Sequence, residues 1–140
     1  MPDPDVPIDE LRDAYARWRE TKGGNVDQVL ALFDDRVEMH SVLEPDVDTE
    51  IARVQTSRED AKNYFRALLD EWEMIDFPTD RIVADGETAV WIGRCHWRRK
   101  SDGREVNSPK VDIWTFRNGK AVRFFEMFDS LGFAKAAGLV

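Results

Sequence analysis

The sequence carries one cysteine, Cys95, and two histidines, His40 and His96, in 140 residues. A single thiol excludes an internal disulfide, a thiolate zinc cluster and a two-cysteine redox motif. Two histidines with no short spacing between them do not make a dedicated metal site. The chain also lacks a nucleophile elbow, a phosphate loop and a dinucleotide fingerprint, so no cofactor is expected. No apolar run approaches the roughly 18 to 20 residues of a membrane span. The first five residues, Met1-Pro2-Asp3-Pro4-Asp5, have neither the basic nor the apolar region of a signal peptide. These absences lead us to expect a cytoplasmic protein without a membrane partner.

What is present is an ordinary globular composition, 42% hydrophobic and 34% charged. A chain of this length is expected to form one domain, residues 1–140. Lys and Arg number 20 against 28 Asp and Glu, a formal charge of −8. Such a chain repels phosphate backbones overall. The basic stretch Arg94, Arg98, Arg99, Lys100, Arg104 and Lys110 is interleaved with Trp97 and Trp114, a pattern that suits single-stranded nucleic acid. It flanks a hairpin turn, however, where exposed charge is expected anyway, and no nucleic-acid partner is assigned.

Periodicity sets the order of elements. Ile8, Leu11, Tyr15 and Trp18 stripe one face of a helix that Gly23-Gly24 ends. Asn25 with Gln28 reads as the capping pair of a short second helix bearing Val26, Val29, Leu30 and Phe33 inward. Residues 37–42 read as a first strand, and the acidic, proline-containing stretch 43–50 as a loop. Ser57 and Asp60 bracket a second capping signature, opening a helix to about Trp72 with Ala61, Tyr64, Phe65, Leu68 and Leu69 on its apolar face. Turn signals at Asp85-Gly86, Ser101-Asp102-Gly103 and Asn118-Gly119 then divide the chain into strands at about 77–84, 88–99, 104–117 and 120–128. Pro109 suggests a bend or bulge, and residues 131–137 a closing helix. The predicted fold is α+β, with helices packed on one curved antiparallel sheet.

The last strands are apolar on both faces, with Val122, Phe124 and Phe128 on one and Ala121, Phe125 and Met127 on the other. Two covered faces predict a homodimer through the sheet. Against that background Asp112 stands out, in mid-strand with Trp114 and Phe116 on its face. Burial would hold it neutral, able to donate to a developing oxyanion; the alternative is an acid at a sheet edge or paired with Lys110 or Arg94. Arg94 and His96 share a strand face with Ile92, where a solvated role competes with proton transfer. His40 ends the first strand beside the acidic loop. Asp129 ends the last strand, where it also fits a helix N-cap. Tyr15 lies on the first helix's stripe, and a buried hydroxyl there needs a partner.

Several strings in this order resemble the nuclear transport factor 2-like superfamily, which includes ketosteroid isomerases, limonene epoxide hydrolases and SnoaL-like polyketide cyclases. They are Tyr15-Ala-Arg-Trp18, the run from Val26 to Asp35, Ser57-Arg-Glu-Asp60, Trp114-Thr-Phe-Arg-Asn-Gly-Lys120, and Phe128-Asp-Ser-Leu-Gly-Phe133. The resemblance spans Leu11 to Gly138. It implies a cone-shaped, cystatin-like topology in which a curved antiparallel sheet carries three helices on its concave face around an apolar pocket, usually in a dimer. Tyr15 and Asp112 match the tyrosine and the neutral Asp of ketosteroid isomerases. His40 falls, after a one-residue shift, where those enzymes place a carboxylate base. Arg94 and Asp129 match two members of the epoxide hydrolase set, with His96 replacing its first Asp. The acid at Asp129 also resembles that of SnoaL-like cyclases. The loop 43–56 departs from the family and is expected at the pocket mouth.

The resulting expectation is a cofactor-independent enzyme using general acid–base chemistry on an apolar small molecule. The reaction would be isomerisation, cyclisation, or epoxide or lactone hydrolysis, with a non-catalytic binding module as the alternative. His96 or His40 would move the proton, Asp112 and Tyr15 would stabilise the oxyanion, and Arg94 would orient Asp129 or the substrate. Trp114, Phe116, Ile92, Phe65 and Trp18 would line the pocket.

Overall fold

The computed structural model describes residues 6–44, 47 and 49–140; the first five residues and loop positions 45, 46 and 48 lie outside them. The chain runs as α1 (Ile8–Glu20), α2 (Val26–Leu30), β1 (Phe33–Ser41), a 3-10 turn (Glu50–Ala52), α3 (Arg58–Glu71), β2 (Trp72–Asp76), β3 (Thr79–Asp85), β4 (Thr88–Arg99), β5 (Glu105–Arg117), β6 (Lys120–Met127) and α4 (Ser130–Ala136). Leu11, Ala14, Tyr15 and Trp18 are the buried positions of α1, as its stripe requires. Ser57 caps α3 by accepting from the Asp60 N–H at 2.9 Å.

Six strands form one curved, unclosed sheet in the order β1-β6-β5-β4-β2, with β3 pairing with β4 beyond β2. The sheet is mixed, not wholly antiparallel. β1 runs parallel to β6, with His40 opposite Phe125, because the α3 crossover returns the chain to the far side of the sheet before the meander begins. The strand expected at 77–84 is preceded by β2, which continues directly out of α3 at Trp72. Gly93 lies where β2 gives way to β3. A Cβ there would stand 2.3 Å from the Pro78 carbonyl oxygen, so only glycine permits the approach.

Pro109 does not break its strand. The β4–β5 ladder runs unshifted from Thr88–Thr115 to Arg98–Glu105. Arg94, opposite Pro109, sends its N–H the other way, to the Pro78 carbonyl at 3.1 Å, so the proline removes no ladder bond there. The irregularity lies instead between β5 and β6, where the register shifts at Thr115–Phe116. The shift puts both Ala121 and Phe124 inside and carries Glu126 in with them.

Candidate active site in the interior cavity

The concave face of the sheet, α1, α3 and α4 enclose a cavity of about 90 Å3. Half of its lining residues are aromatic, among them Trp18, Phe33, Phe65, Trp72, Phe77, Trp97, Trp114 and Phe124, and Ile51 of the 3-10 turn also reaches it. The volume is several times the roughly 10 to 15 Å3 that admits one water.

Three charged side chains are buried in this wall: Lys110, Asp112 and Glu126. Asp112 and Glu126 face each other directly across the β5–β6 ladder. Lys110, two residues before Asp112 on the same strand face, bonds Asp112 and lies 3.3 Å from Glu126 Oε1. Two tyrosines complete the group from the helices. The Tyr15 hydroxyl of α1 donates to Asp112 Oδ2 at 2.5 Å, and the Tyr64 hydroxyl of α3 donates to Glu126 Oε1 at 2.8 Å. Trp114 Nε1–H donates to the Tyr15 oxygen at 2.9 Å. The Lys110 ammonium also lies 5.6 Å from the Phe77 ring centroid and 5.8 Å from that of Phe124.

Burial sets the electrostatics. It pushes the Glu126 carboxyl above its ordinary 4.5, and the adjacent Lys110 charge reverses only part of that. On Lys110 burial acts downward, but Asp112 and Glu126 together outweigh it and hold the ammonium protonated, above its usual range. Burial, and then the neighbouring carboxylates, raise both tyrosines well above their ordinary values, so both remain hydroxyls. One ammonium therefore faces two carboxyl groups, and Glu126 is the acid whose protonated form burial favours. A lysine has three N–H donors. Two serve Asp112 and Glu126, leaving the third for a ligand oxygen.

The structure brings together only part of the residues singled out in the sequence. Tyr15 and Asp112 are hydrogen-bonded, and Trp18, Phe65 and Trp114 line the cavity. Phe116 is buried but stacks behind Trp114 at 5.7 Å, outside the lining. Arg94, His96 and Ile92 lie on the convex face, because Trp91, Cys95 and Trp97 take the concave side of β4. There His96 Nε2 pairs with Glu105 Oε1 at 2.5 Å, and Arg94 donates to Asn107 at 3.2 Å. His40 also faces outward, Nδ1 2.8 Å from Glu44 Oε1 and its ring near Phe125, since Met39 is the inward residue of β1. Asp129 caps α4, accepting the Gly132 N–H at 2.8 Å, and does not reach the cavity. Cys95 lines the cavity as a thiol that burial raises to about 11.

Lys110, Glu126 and Tyr64 are the cavity residues the sequence reading passed over as site candidates. Strand alternation held a signal for two of them. Lys110 shares the face of Asp112, Trp114 and Phe116, and Glu126 that of Phe124. Among the described residues no group of three His, Cys, Asp or Glu side chains is placed to hold a metal ion, and no helix is long and apolar enough to cross a membrane.

A curved, unclosed mixed sheet wrapped with helices around an interior cavity is the fold of the nuclear transport factor 2-like class. The chain belongs to the SnoaL-like domain family, whose model matches residues 11–124. Solved structures agree on the fold. A nuclear transport factor 2-like protein from Burkholderia thailandensis E264 is 22% identical with a TM-score of 0.78, covering 94% of this chain and 97% of that one. A protein of the same class and of unknown function from Burkholderia pseudomallei K96243 is 20% identical, TM-score 0.78, covering 92% and 95%. TerC, crystallised with polyporic acid, is 18% identical, TM-score 0.77, covering 94% and 97%. No curated protein matches the chain at a significant level.

Proposed function

We propose that this protein is an enzyme that moves a proton on an apolar, oxygen-bearing small molecule held in the interior cavity, as an isomerase, a cyclase, or an epoxide or lactone hydrolase does. The observation that carries the reading is the Asp112–Lys110–Glu126 constellation in an otherwise apolar wall. Glu126 takes the part assigned from the sequence to His96 or His40. Its carboxylate removes a proton from carbon next to a carbonyl, and the electron pair moves onto the carbonyl oxygen. The free N–H of Lys110 stabilises that oxygen, in a site where apolar walls strengthen the charge interaction. The resulting carboxylic acid returns the proton at the product position. Asp112, held by Tyr15 and Lys110, fixes the ammonium in place. The aromatic walls suit a flat apolar skeleton, and the co-crystallisation of the fold relative TerC with polyporic acid accords with this.

One observation favours a purely binding role: the tyrosine hydroxyls and two of the three lysine donors are already satisfied within the cluster. Solvent exchange separates the two readings. In deuterated water the protein should speed loss of the α-protons of 2-tetralone, followed by proton NMR. The rate should rise with pH through an inflection above 4.5. Glu126→Gln should slow exchange by about 10²- to 10⁴-fold. Binding of 2-tetralone without accelerated exchange would leave a carrier, and exchange insensitive to Glu126→Gln would remove Glu126 from the chemistry.

A further inference from the structure

Within the same cavity, Trp72 is a polar residue the acid–base cluster does not use. It is 2% exposed and lines the cavity, yet its indole Nε1–H has no acceptor among the described residues. The contrast with Trp114 and Trp91 is direct, since both donate their indole N–H to an oxygen, that of Tyr15 at 2.9 Å and Thr79 Oγ1 at 2.7 Å. A buried N–H is nearly always paired in a folded protein, so an orphan on a cavity wall calls for an acceptor that the chain does not supply.

Position gives the missing acceptor its place. Trp72 opens β2 and pairs with Arg99 of β4, whereas Lys110 stands opposite Gly93 of that strand. Six residues of strand separate the two points, roughly 20 Å of backbone at the usual rise. The curvature of the sheet turns both side chains into one cavity. The ring of Trp72 is fixed by Phe133 of α4, centroids 5.5 Å apart, so the donor is held rather than free to swing.

We propose that Trp72 Nε1–H is a second polar anchor of the ligand site, selecting molecules with a hydrogen-bond acceptor oxygen, such as a ketone, at the end remote from the group that meets Lys110 and Glu126. The ligand class is then an elongated aromatic compound with oxygen functions at both ends. This rests on the reading of the cavity as a ligand site, and it adds the requirement that distinguishes one apolar ligand from another.

Two probes of one shape test it: 4-hydroxyacetophenone, and 4-ethylphenol, in which a methylene replaces the carbonyl. The phenol of each meets the Lys110–Glu126 end. Titration calorimetry should show the parent protein preferring the ketone about tenfold. In Trp72→Phe the preference should vanish while 4-ethylphenol still binds. In Glu126→Gln both should weaken and the preference persist. Proton–nitrogen NMR adds a direct view: the Trp72 indole signal, assigned by its loss in Trp72→Phe, should shift downfield with the ketone and not with the methylene compound. If both probes bind the parent equally, or the preference survives Trp72→Phe, the anchor is overturned and the cavity reading stands. If neither probe binds the parent protein, both fall together.

Discussion

Lys110 is the only buried base among the described residues, and it faces two buried carboxyl groups. Removing one partner from such a cluster leaves charge without compensation, which costs about 3 to 5 kcal/mol. Lys110→Met keeps the length and apolar stem of the side chain, so its urea midpoint at about pH 7 should report that loss. The loss should shrink near pH 4, where Glu126, its carboxyl raised by burial, can take up a proton instead. Glu126 titrates with the opposite consequence for stability. Its folded carboxyl is raised above 4.5, chiefly by burial, so the fold binds that proton more tightly than the unfolded chain does. The contribution is complete below the unfolded value and is lost as pH rises through the folded one. Gln has no such titration. The stability of Glu126→Gln relative to the parent should therefore improve between about pH 4 and pH 7, and a difference that stays flat would show Glu126 to be unperturbed. These residues were unequally legible. Asp112 was conspicuous because it is an acid set among Val111, Ile113 and Trp114 in mid-strand. Tyr64 looked like packing, since α3 buries Ala61 and Phe65 beside it and only the β6 strand supplies its partner, Glu126. The histidines misled because a residue type suited to proton transfer says nothing about which strand face the cavity takes. In β4 the bulk of Trp91 and Trp97 decides that.

At the scale of elements, the helix caps and turns were readable because they are local. Ser57 and Asp60 mark the start of α3 by their spacing alone. The parallel β1–β6 pairing was not readable, since α3 and four strands separate the two in the chain and nothing in either sequence encodes direction. Nor was the shift at Thr115–Phe116, which depends on how β5 and β6 meet. Asp129 sits between these cases, matching both an N-cap and a family acid. Its Oδ1 accepts the Gly132 N–H, and its own N–H donates to Ser108 Oγ at 2.9 Å, so α4 and β5 account for it structurally. Asp129→Ala should cost about 1 kcal/mol, within the roughly 0.5 to 2 usual for a lost cap, and Asp129→Asn only a fraction of that. Chemical denaturation of the two variants measures this. Both should exchange 2-tetralone protons at the parent rate. A large loss of exchange in Asp129→Asn with normal stability would return Asp129 to the chemistry.

For the whole molecule, the question is what covers the convex face of the sheet. α1, α3 and α4 all contribute to the cavity on the other side. On the convex side Val90, Ile92, Val111, Ile113, Phe125 and Met127 are only half-buried. They lie on the three central strands, with Ile113 directly opposite Phe125. Some charges beside this patch are matched within the chain, His96 with Glu105 and Arg98 with Glu73 at 3.0 Å, whereas Arg94 and Arg123 have no carboxylate partner among the described residues. An apolar patch spread over the three central strands fits a second copy of itself about a two-fold axis. We propose that the protein pairs through this face. Light scattering behind a sizing column should give twice the chain mass of 16.2 kDa at micromolar concentration. Ile113→Lys places a charge at the centre of the patch while leaving the cavity wall untouched. It should therefore give the single-chain mass with an unchanged circular dichroism spectrum. Because Lys110, Asp112 and Glu126 lie on the opposite side of the same strands, proton exchange per chain should survive dissociation. A parent protein that elutes as a single chain across that range, or an Ile113→Lys variant that remains paired, would place the contact elsewhere.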